Sequence, residues 1–419
     1  MTRFRPTSPS ASISPSINDA AALIPGLPND VAAQILSMLP YSHHSRLKST
    51  CRSWCIFLSS ETLISLRRHL RKLSNLLCIF PQDPSISSPY LFDPRTLAWR
   101  PLPPMPCNPY VYGLCNFTSV SLGPHLYVLG GSLFDTRSFP MDRPSPSSAT
   151  FRFNLVTSTW DQLSPMLSPR GSFACAADPG SGQIIVAGGG SRHAIFGAAG
   201  SRMSSAEVYD VVRDEWVPMD GLPRYRAGCV GFLGGGDDGE QKKFWVMGGY
   251  GESRTISGVF PVDEYYKDAV VMDVNSYGTG KWKEVGDMWQ EGERARLGKV
   301  VAVEDDGNGC PAVFMLDEND IFRYDMTCNR WHKETSVPRK APLHSSFGFI
   351  VLDKELHIMT ILKGSDSTET RRTRQQKRAG TLFIQIYSPG KKTWRSLIAK
   401  PPFQSSLDFN TTVMCSIQM

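Results

Sequence analysis

The sequence predicts a mainly β protein in which six four-stranded sheets form a ring and a small unit of three helices precedes them. Three observations support this fold class. The composition is rich in turn-forming and aromatic residues, an aromatic-to-tryptophan spacing recurs along most of the chain, and helical periodicity is confined to a stretch near the N-terminus. Repeats of roughly 50 residues stack as sheets around a common axis.

The composition favours an all-β body. At 419 residues the chain is longer than one hydrophobic core usually supports, so either one large repeat domain with a smaller unit or two to three ordinary domains are expected. Hydrophobic residues make up 41% and charged residues 20%, which is typical of a globular protein. The 35 glycines, 31 prolines, 9 tryptophans and 13 tyrosines favour many short strands joined by turns.

Charge and cysteine usage exclude several classes of protein. The net charge of +6 is too weak over this length to indicate nucleic-acid binding. The ten cysteines form no CxxC pair and no apolar signal segment precedes them, so we expect reduced thiols and a cytoplasmic or nuclear location. No apolar run approaches the roughly 18 residues that cross a bilayer, so no membrane role is expected. Residues 1–22, rich in serine and proline, are predicted to be a disordered leader; the alternative, suggested by Arg3 and Arg5, is an organelle-transit segment.

Residues 23–70 carry the helical periodicity and predict three helices. The first is expected to begin at Leu27-Pro28-Asn29-Asp30, because proline suits the first turn and an acidic residue favours the positive end of the helix dipole. The second follows Ser42 and the third follows Ser60, since serine is a good N-cap residue. The apolar faces are Val31, Ile35, Met38 and Leu39, then Leu47, Cys51, Trp54 and Leu58, then Leu63, Leu66 and Leu70.

Three short helices cannot bury all of these apolar side chains, which indicates a surface that a partner covers. The motifs Leu-Pro-x-Asp, Ile-Leu-x-x-Leu-Pro and Cys-Arg-Ser-Trp resemble the F-box over the whole of residues 23–70. The resemblance implies a Skp1-type adaptor as the partner, and through it a cullin; the alternative is a helical cap on the β domain. The residues that the resemblance assigns to this contact are Leu27, Pro28, Ile35, Leu36, Leu39, Pro40, Trp54 and Leu58.

The longer part of the chain repeats itself. An aromatic residue stands seven positions before tryptophan in Phe92/Trp99, Phe153/Trp160, Tyr209/Trp216, Tyr324/Trp331 and Tyr387/Trp394, and a sixth unit at Trp282 is stretched by an insertion at 276–280. Three upstream strands end in the glycine pairs Gly130-Gly131, Gly188-Gly189 and Gly248-Gly249. Glycine pairs let backbones approach closely, and aromatic side chains fill the space between sheets. The pattern resembles the kelch repeat, and with the F-box ahead of it the chain resembles the plant F-box/kelch-repeat family.

The count of strands predicts how the ring closes. The first unit lacks an opening strand, whereas the C-terminus has a spare one at 410–417. Pairing the two completes a sixth blade and leaves no open sheet edge. Residues 71–419 are therefore predicted to form a six-bladed kelch β-propeller, in which blades five and six depart most from the pattern because Leu316-Asp317 and Ile361-Leu362 replace the glycine pair.

Four long loops, at 132–149, 190–205, 250–267 and 363–380, are predicted to leave the same face of the ring. Long loops on a rigid scaffold commonly bind ligands. We expect this face, with Arg170, Arg224 and Arg226 beside it, to bind a target protein; the alternative is that the insertions are merely tolerated. The basic run 371–378 is either a nuclear signal, a patch for an acidic partner or a solvated loop tip.

The sequence contains no GxSxG or CxxC motif and no paired histidines at metal spacing. His193, Glu207 and Asp317 are candidates for metal ligands in a central channel, since some kelch propellers carry a metal there, but a structural role is favoured. No catalytic residue, cofactor or metal is expected. The predicted function is the substrate-recognition subunit of a Skp1-cullin-F-box ubiquitin ligase. The alternatives are a metal-dependent kelch enzyme and an F-box protein that acts outside a ligase.

Overall fold

A computed structural model describes residues 22–81, 88–107, 112–135, 145–190, 202–235, 242–256, 260–274, 281–289, 296–303, 310–339, 346–362, 380–403 and 407–419. It divides into two compact units, one ending at Leu73 and the other beginning at Ser74. The predicted leader up to residue 21, His193 and the basic run 371–378 lie outside the described residues. No helix in the described part of the chain is long and apolar enough to span a bilayer.

The described part of the first unit contains four α-helices rather than the three predicted. They are α1 (Asn29–Met38), α2 (His44–Lys48), α3 (Arg52–Leu58) and α4 (Glu61–His69), with a 3-10 turn at Tyr41–His43 between the first two. The predicted second helix is broken at Cys51, which is extended at φ −158° and ψ 163° and caps α3. The hydroxyls of Ser49 and Thr50 donate to the carbonyl of Arg46, and such side-chain bonds compete with helix propagation.

The helical unit has its own core and a buried arginine. Leu36, Leu58 and Leu63 are almost fully buried. The guanidinium of Arg67 is buried as well and donates to the carbonyls of Ser37 at 3.2 Å, Leu39 at 2.8 Å and Lys72 at 2.9 Å. Helix C-terminal carbonyls have no partner within the helix, so Arg67 satisfies the end of α1.

The second unit is a propeller of six four-stranded antiparallel blades. Blade one holds β1 (Asn75–Phe80), β2 (Tyr90–Asp93), β3 (Ala98–Pro101) and β29 (Val413–Gln418), and blade two holds β5 (Thr118–Leu122), β6 (His125–Leu129), β9 (Thr150–Asn154) and β10 (Thr159–Leu163). Blade three holds β11 (Ala174–Asp178), β12 (Gln183–Ala187), β13 (Ala206–Asp210) and β14 (Glu215–Met219), and blade four holds β15 (Val230–Gly234), β16 (Lys243–Met247), β19 (Asp268–Asp273) and β20 (Lys283–Asp287). Blade five holds β21 (Lys299–Val303), β22 (Ala312–Asp317), β23 (Asp320–Asp325) and β24 (Arg330–Ser336), and blade six holds β25 (Gly348–Leu352), β26 (Glu355–Leu362), β27 (Thr381–Ser388) and β28 (Thr393–Ala399).

Five further strands of the described chain lie outside the blades, in or beside regions that the sequence predicted to be loops. They are β4 (Tyr112–Cys115), β7 (Ser132–Asp135) and β8 (Ser145–Pro146), which pair in one small sheet, and the hairpin of β17 (Tyr250–Ile256) and β18 (Phe260–Tyr265). The prediction that 132–149 and 250–267 are loops throughout is therefore wrong. Backbone pairing satisfies the polar groups of these long insertions.

The C-terminal strand closes the ring as predicted. β29 pairs antiparallel with β1 from Asn75↔Gln418 to Phe80↔Val413, and the backbones of Ser74 and Met419 extend the ladder by two hydrogen bonds. The strand begins three residues later than the predicted 410. The carbonyl of Asp408 accepts hydrogen bonds from the backbones of Thr411 and Thr412, which forms a turn ahead of the strand.

The aromatic residue and the tryptophan seven positions after it form a cross-strand pair. In five blades the two residues face each other across the hairpin of the third and fourth strands, with ring centroids 4.5 to 5.1 Å apart. The indole N–H groups of Trp160, Trp216 and Trp282 donate to carbonyls that follow the last strand of the preceding blade, at 2.8 to 3.0 Å. These three tryptophans therefore stabilise each blade and also join it to its neighbour.

Trp331 and Trp394 depart from the other predicted structural tryptophans in how they contact the preceding blade. The indole N–H of Trp331 is buried with no hydrogen-bond partner among the described residues, and the ring instead stacks on Trp289 with centroids 6.2 Å apart. Trp394 is only partly buried and packs against the apolar cluster that blades five and six share, which includes Val337. Apolar packing therefore replaces the hydrogen bond to the preceding blade at these two tryptophans.

We expect the substitution Ile417→Ala to lower the free energy of unfolding by about 2 to 5 kcal/mol, because Ile417 is buried opposite Leu76 in the closing sheet. Urea denaturation of the full chain measures this. The control is Gln418→Ala, one residue along the same strand with an exposed side chain, which should change stability by no more than about 0.5 kcal/mol. Equal effects of the two substitutions would contradict a stabilising role for the closing strand.

Candidate functional site

The glycine pairs lie against the connection that leads from their blade to the next one. All six glycines have positive φ, between +59° and +101°. A Cβ atom built on Gly130 would lie 2.3 Å from the carbonyl oxygen of Arg170, and one on Gly188 would lie 2.3 Å from that of Arg226. No side chain fits at such a distance. Each arginine lies in the connection that leaves the blade carrying that glycine pair and leads to the next blade.

Arg170 is the centre of a buried polar cluster between blades two and three. Its guanidinium donates to the carbonyls of Gly188 at 2.9 Å and Ser205 at 2.8 Å, and it forms an ion pair with Glu207. Glu207 also accepts backbone N–H bonds from Leu167 at 2.8 Å and Ser168 at 3.0 Å. Burial lowers the pKa of Arg170, and the charge of Glu207 opposes that shift.

Arg226 repeats the arrangement one blade further on. Its guanidinium donates to the carbonyl of Gly248 at 2.7 Å and to both carboxylate oxygens of Asp268, at 3.1 and 3.0 Å. We call each unit of a buried arginine, the glycine pair's carbonyl and the acidic residue a blade lock. Arg224, two residues earlier, shares Asp268 at 2.5 Å and stacks on the ring of Tyr266 at 4.5 Å.

The blade locks correct part of the predicted target site. Arg170 and Arg226 are 0% and 1% exposed, so their side chains cannot contact a bound protein, and the prediction that they do is wrong. Arg224 keeps 42% of its side chain exposed beside the exposed Tyr225, and its role in target binding stays a prediction. Glu207, a candidate metal ligand in the sequence, is occupied by Arg170 and two backbone amides.

A pocket of about 310 Å³ opens beside the start of β21, lined by Arg296, Leu297, Gly298, Lys299, Leu316, Asp317, Glu318, Phe347 and Asn410. Burial lowers the pKa of Lys299 to about 8, and its ammonium donates to the carbonyl of Phe409. First strands begin and second strands end on the same face of an antiparallel blade. The pocket is therefore on the face from which the connections between second and third strands emerge, the face predicted to bind a target.

The helical unit exposes an apolar face. Val31, Ile35 and Met38 recur at i, i+4 and i+7 along α1 and point away from the buried residues Ala32 and Leu36. We call these three residues, with the exposed apolar side chains of Leu27 and Ile56 elsewhere in the helical unit, the apolar face. Its side chains are 40 to 61% exposed: Leu27, Val31, Ile35, Met38 and Ile56.

The structure separates the residues that the resemblance assigned to the adaptor contact into two groups. Leu27, Pro28, Ile35 and Pro40 are exposed, and Leu39 and Trp54 are half-buried. Leu36 and Leu58 are 1% and 0% exposed, so they belong to the core of the helical unit and cannot contact an adaptor directly. The indole of Trp54 donates to the carbonyl of Leu23 at 2.6 Å. The sequence analysis did not assign Val31, Met38 or Ile56 to the contact, although the period of α1 marks the first two.

A helical unit with an exposed apolar face, followed by a closed six-bladed propeller, defines a two-part protein. The chain matches the family profile described as F-box-like over residues 24–67 and the one described as Kelch motif over residues 113–167. It is 62% identical over 414 residues to F-box/kelch-repeat protein OR23 of Arabidopsis thaliana, covering 96% of this chain and 93% of that protein. The chain belongs to the F-box/kelch-repeat family, which confirms the resemblance stated above.

Two further relatives from the same plant are more distant. F-box/kelch-repeat protein SKIP20 is 26% identical over 67% of this chain and 70% of that protein. F-box/kelch-repeat protein SKIP30 is 29% identical over 51% of this chain and 58% of that protein. Their similarity extends the family assignment beyond one relative.

We expect Arg170→Met to lower the free energy of unfolding by about 3 to 5 kcal/mol, because Glu207 is left buried with no cationic partner. The double variant Arg170→Met with Glu207→Met should recover part of that loss, since neither charge remains buried. Urea denaturation measures both.

The control is Arg213→Ala, which removes a surface ion pair with Asp210 and should cost no more than about 0.5 kcal/mol. If Arg170→Met cost as little as Arg213→Ala, the blade lock would not stabilise the propeller.

Proposed function

We propose that the chain is the substrate-recognition subunit of a Skp1-cullin-F-box ubiquitin ligase. The helical unit binds a Skp1-type adaptor, the propeller binds a target protein, and the chain itself contributes no catalytic group. The observation that carries the proposal is the apolar face, which lies on the part of the chain that matches the F-box profile. The protein would act in the cytoplasm, the nucleus or both.

The apolar face supports the adaptor contact energetically. Covering a side chain that is about half exposed contributes about 1 kcal/mol, so five such residues supply a substantial part of the free energy of a specific complex. The core beneath the face is complete without a partner, because Leu36, Leu58 and Leu63 are already buried. The face is therefore a surface for another protein rather than a gap in the unit's own packing.

The double substitution Val31→Glu with Ile35→Glu should weaken Skp1 binding at least tenfold, because two apolar contacts are lost and two carboxylates must be desolvated. Calorimetric titration of the purified chain with Skp1 gives the affinity. The control Ser65→Glu puts the same charge on an exposed position of α4 and should bind as the unchanged chain does. Unaltered binding by the double variant would refute the adaptor contact.

Cullin recruitment separates a ligase subunit from an F-box protein that acts elsewhere. The unchanged chain should co-purify with both Skp1 and a cullin, and the Val31→Glu, Ile35→Glu variant with neither. Recovery of Skp1 without cullin would favour the role outside a ligase.

The face of the propeller that carries the pocket is the proposed target site. Arg224 and Tyr225 lie exposed in the connection between blades three and four, on that same face. Beneath this connection the two blade locks join blades two, three and four, so it is presented from a rigid support. The mixed charges of the pocket, with Arg296 and Lys299 beside Asp317 and Glu318, favour a target with polar and charged groups over an apolar one.

In cells, the Val31→Glu, Ile35→Glu chain should retain its targets and lengthen their half-lives, because it binds them without delivering them to the ligase. Adding Arg224→Ala should reduce the retained amount of those targets several-fold, since it removes an exposed cation from the proposed site. Quantitative proximity labelling measures retention.

Arg213→Ala, which lies on the opposite face in the turn after β13, is the matched control and should leave retention unchanged. Equal retention by the two arginine variants would contradict a role for Arg224.

A further inference from the structure

We propose that Asp325, Cys328 and His332, on the hairpin of β23 and β24 in blade five, form a binding site for a divalent cation of the zinc class. One ligand atom from each residue lies within 4.8 Å of the other two. Carboxylate oxygen, thiolate sulfur and imidazole nitrogen are the three ligand types that Zn²⁺ prefers in proteins. The search of the sequence for paired histidines did not find this set.

The spacing of the sulfur and the nitrogen fits a tetrahedral ion. Cys328 Sγ lies 3.6 Å from His332 Nε2. Zinc–sulfur bonds of about 2.3 Å and zinc–nitrogen bonds of about 2.0 to 2.1 Å at a tetrahedral angle place the two ligand atoms about 3.6 Å apart. The pair therefore needs little movement to chelate an ion, and the carboxylate of Asp325 supplies a third ligand from the same turn. A fourth position would stay open to water or to a partner's side chain.

The turn that carries the three residues is held from outside. Asn329 has a φ of +55°, and its side-chain amide donates to the carbonyls of Val285 and Asp287 at 3.0 Å each. The carboxylate of Asp325 accepts a backbone N–H bond at 2.8 Å and a hydroxyl bond at 2.6 Å from Thr327. Asp93 and Asp210 accept equivalent bonds in blades one and three, so these bonds belong to the turn and fix its carboxylate.

Four other blades form the same turn without the thiol and the imidazole, although blades one and three have an aspartate, Asp93 and Asp210, at the position of Asp325. The position of Cys328 is taken by Thr96, Thr157, Arg213 and Lys391 in blades one, two, three and six. The position of His332 is taken by Arg100, Asp161, Val217 and Arg395. The hairpin therefore forms with many residue types at these positions, and the fold does not account for a thiol and an imidazole meeting in blade five.

A bound cation would stabilise the thiolate of Cys328 beside the carboxylate of Asp325, with the thiol proton released to solvent.

The site is independent of the proposed target face. Turns between third and fourth strands leave the propeller on the side opposite the connections between second and third strands, so the ion would bind away from the pocket. Cys328 and His332 are both exposed, and a cation from solvent has direct access to them.

The test uses the full chain after treatment with a chelator. Co²⁺ titration followed by absorption should give a saturable thiolate-to-cobalt charge-transfer band at one equivalent, and Zn²⁺ should displace it. Cys328→Ser should abolish the band, and His332→Gln should weaken Co²⁺ binding at least tenfold. Cys310→Ser, at another exposed cysteine, should leave the band unchanged.

A thermal shift gives a second readout. Zn²⁺ should raise the melting temperature of the unchanged chain and of Cys310→Ser, but not that of Cys328→Ser. Because Cys328 and His332 are exposed, both variants should keep the melting temperature of the unchanged chain in the absence of metal. Absence of a saturable band in the unchanged chain, or a band that survives Cys328→Ser, would overturn the proposal.

Discussion

The antiparallel pairing of β29 with β1 is the constraint on which the propeller depends. It joins Asn75 to Gln418, so the six blades between them must turn through one full circle. Without this pairing, β1 and β29 would each have an open edge, and open strand edges bind other strands and lead to aggregation. Blades five and six take their places in the closed ring as complete four-stranded sheets although neither has a glycine pair.

The blade locks join neighbouring sheets by hydrogen bonds and ion pairs. In blades three and four, backbone carbonyls beside the end of the second strand face the connection that arrives from the preceding blade. Arg170 and Arg226 satisfy those carbonyls, and Glu207 and Asp268 balance the buried charges. The backbone carbonyl oxygen of each arginine lies so close to Gly130 or Gly188 that a Cβ atom would not fit there, so glycine is required at both positions.

Periodicity in the sequence predicted the strand pairs within the blades. Contacts between residues far apart in the sequence could not be predicted from it. The interval from aromatic residue to tryptophan gave the register of five hairpins, but not that Trp331 and Trp394 contact the preceding blade by apolar packing. Burial of Arg170 was not predicted, because an arginine is usually exposed. Its partner Glu207 lies 37 residues further along the chain, in β13 of blade three, and nothing in the sequence pairs the two. Buried helical residues were assigned to the adaptor contact because a motif records identity, not the direction of a side chain. The break at Cys51 was missed because the apolar period continues through it.

The proposed target site and the blade locks meet at Asp268, and the geometry keeps them separable. Arg226 contacts both oxygens of this carboxylate, whereas Arg224 contacts one of them from the exposed side. An acidic group on a bound protein that drew Arg224 away would leave Asp268 still paired with Arg226. The buried charge of Asp268 would then stay compensated, so that binding would not require the lock to open. A surface arginine that shares its partner with a buried one can therefore respond to a ligand while the ring beneath it stays closed.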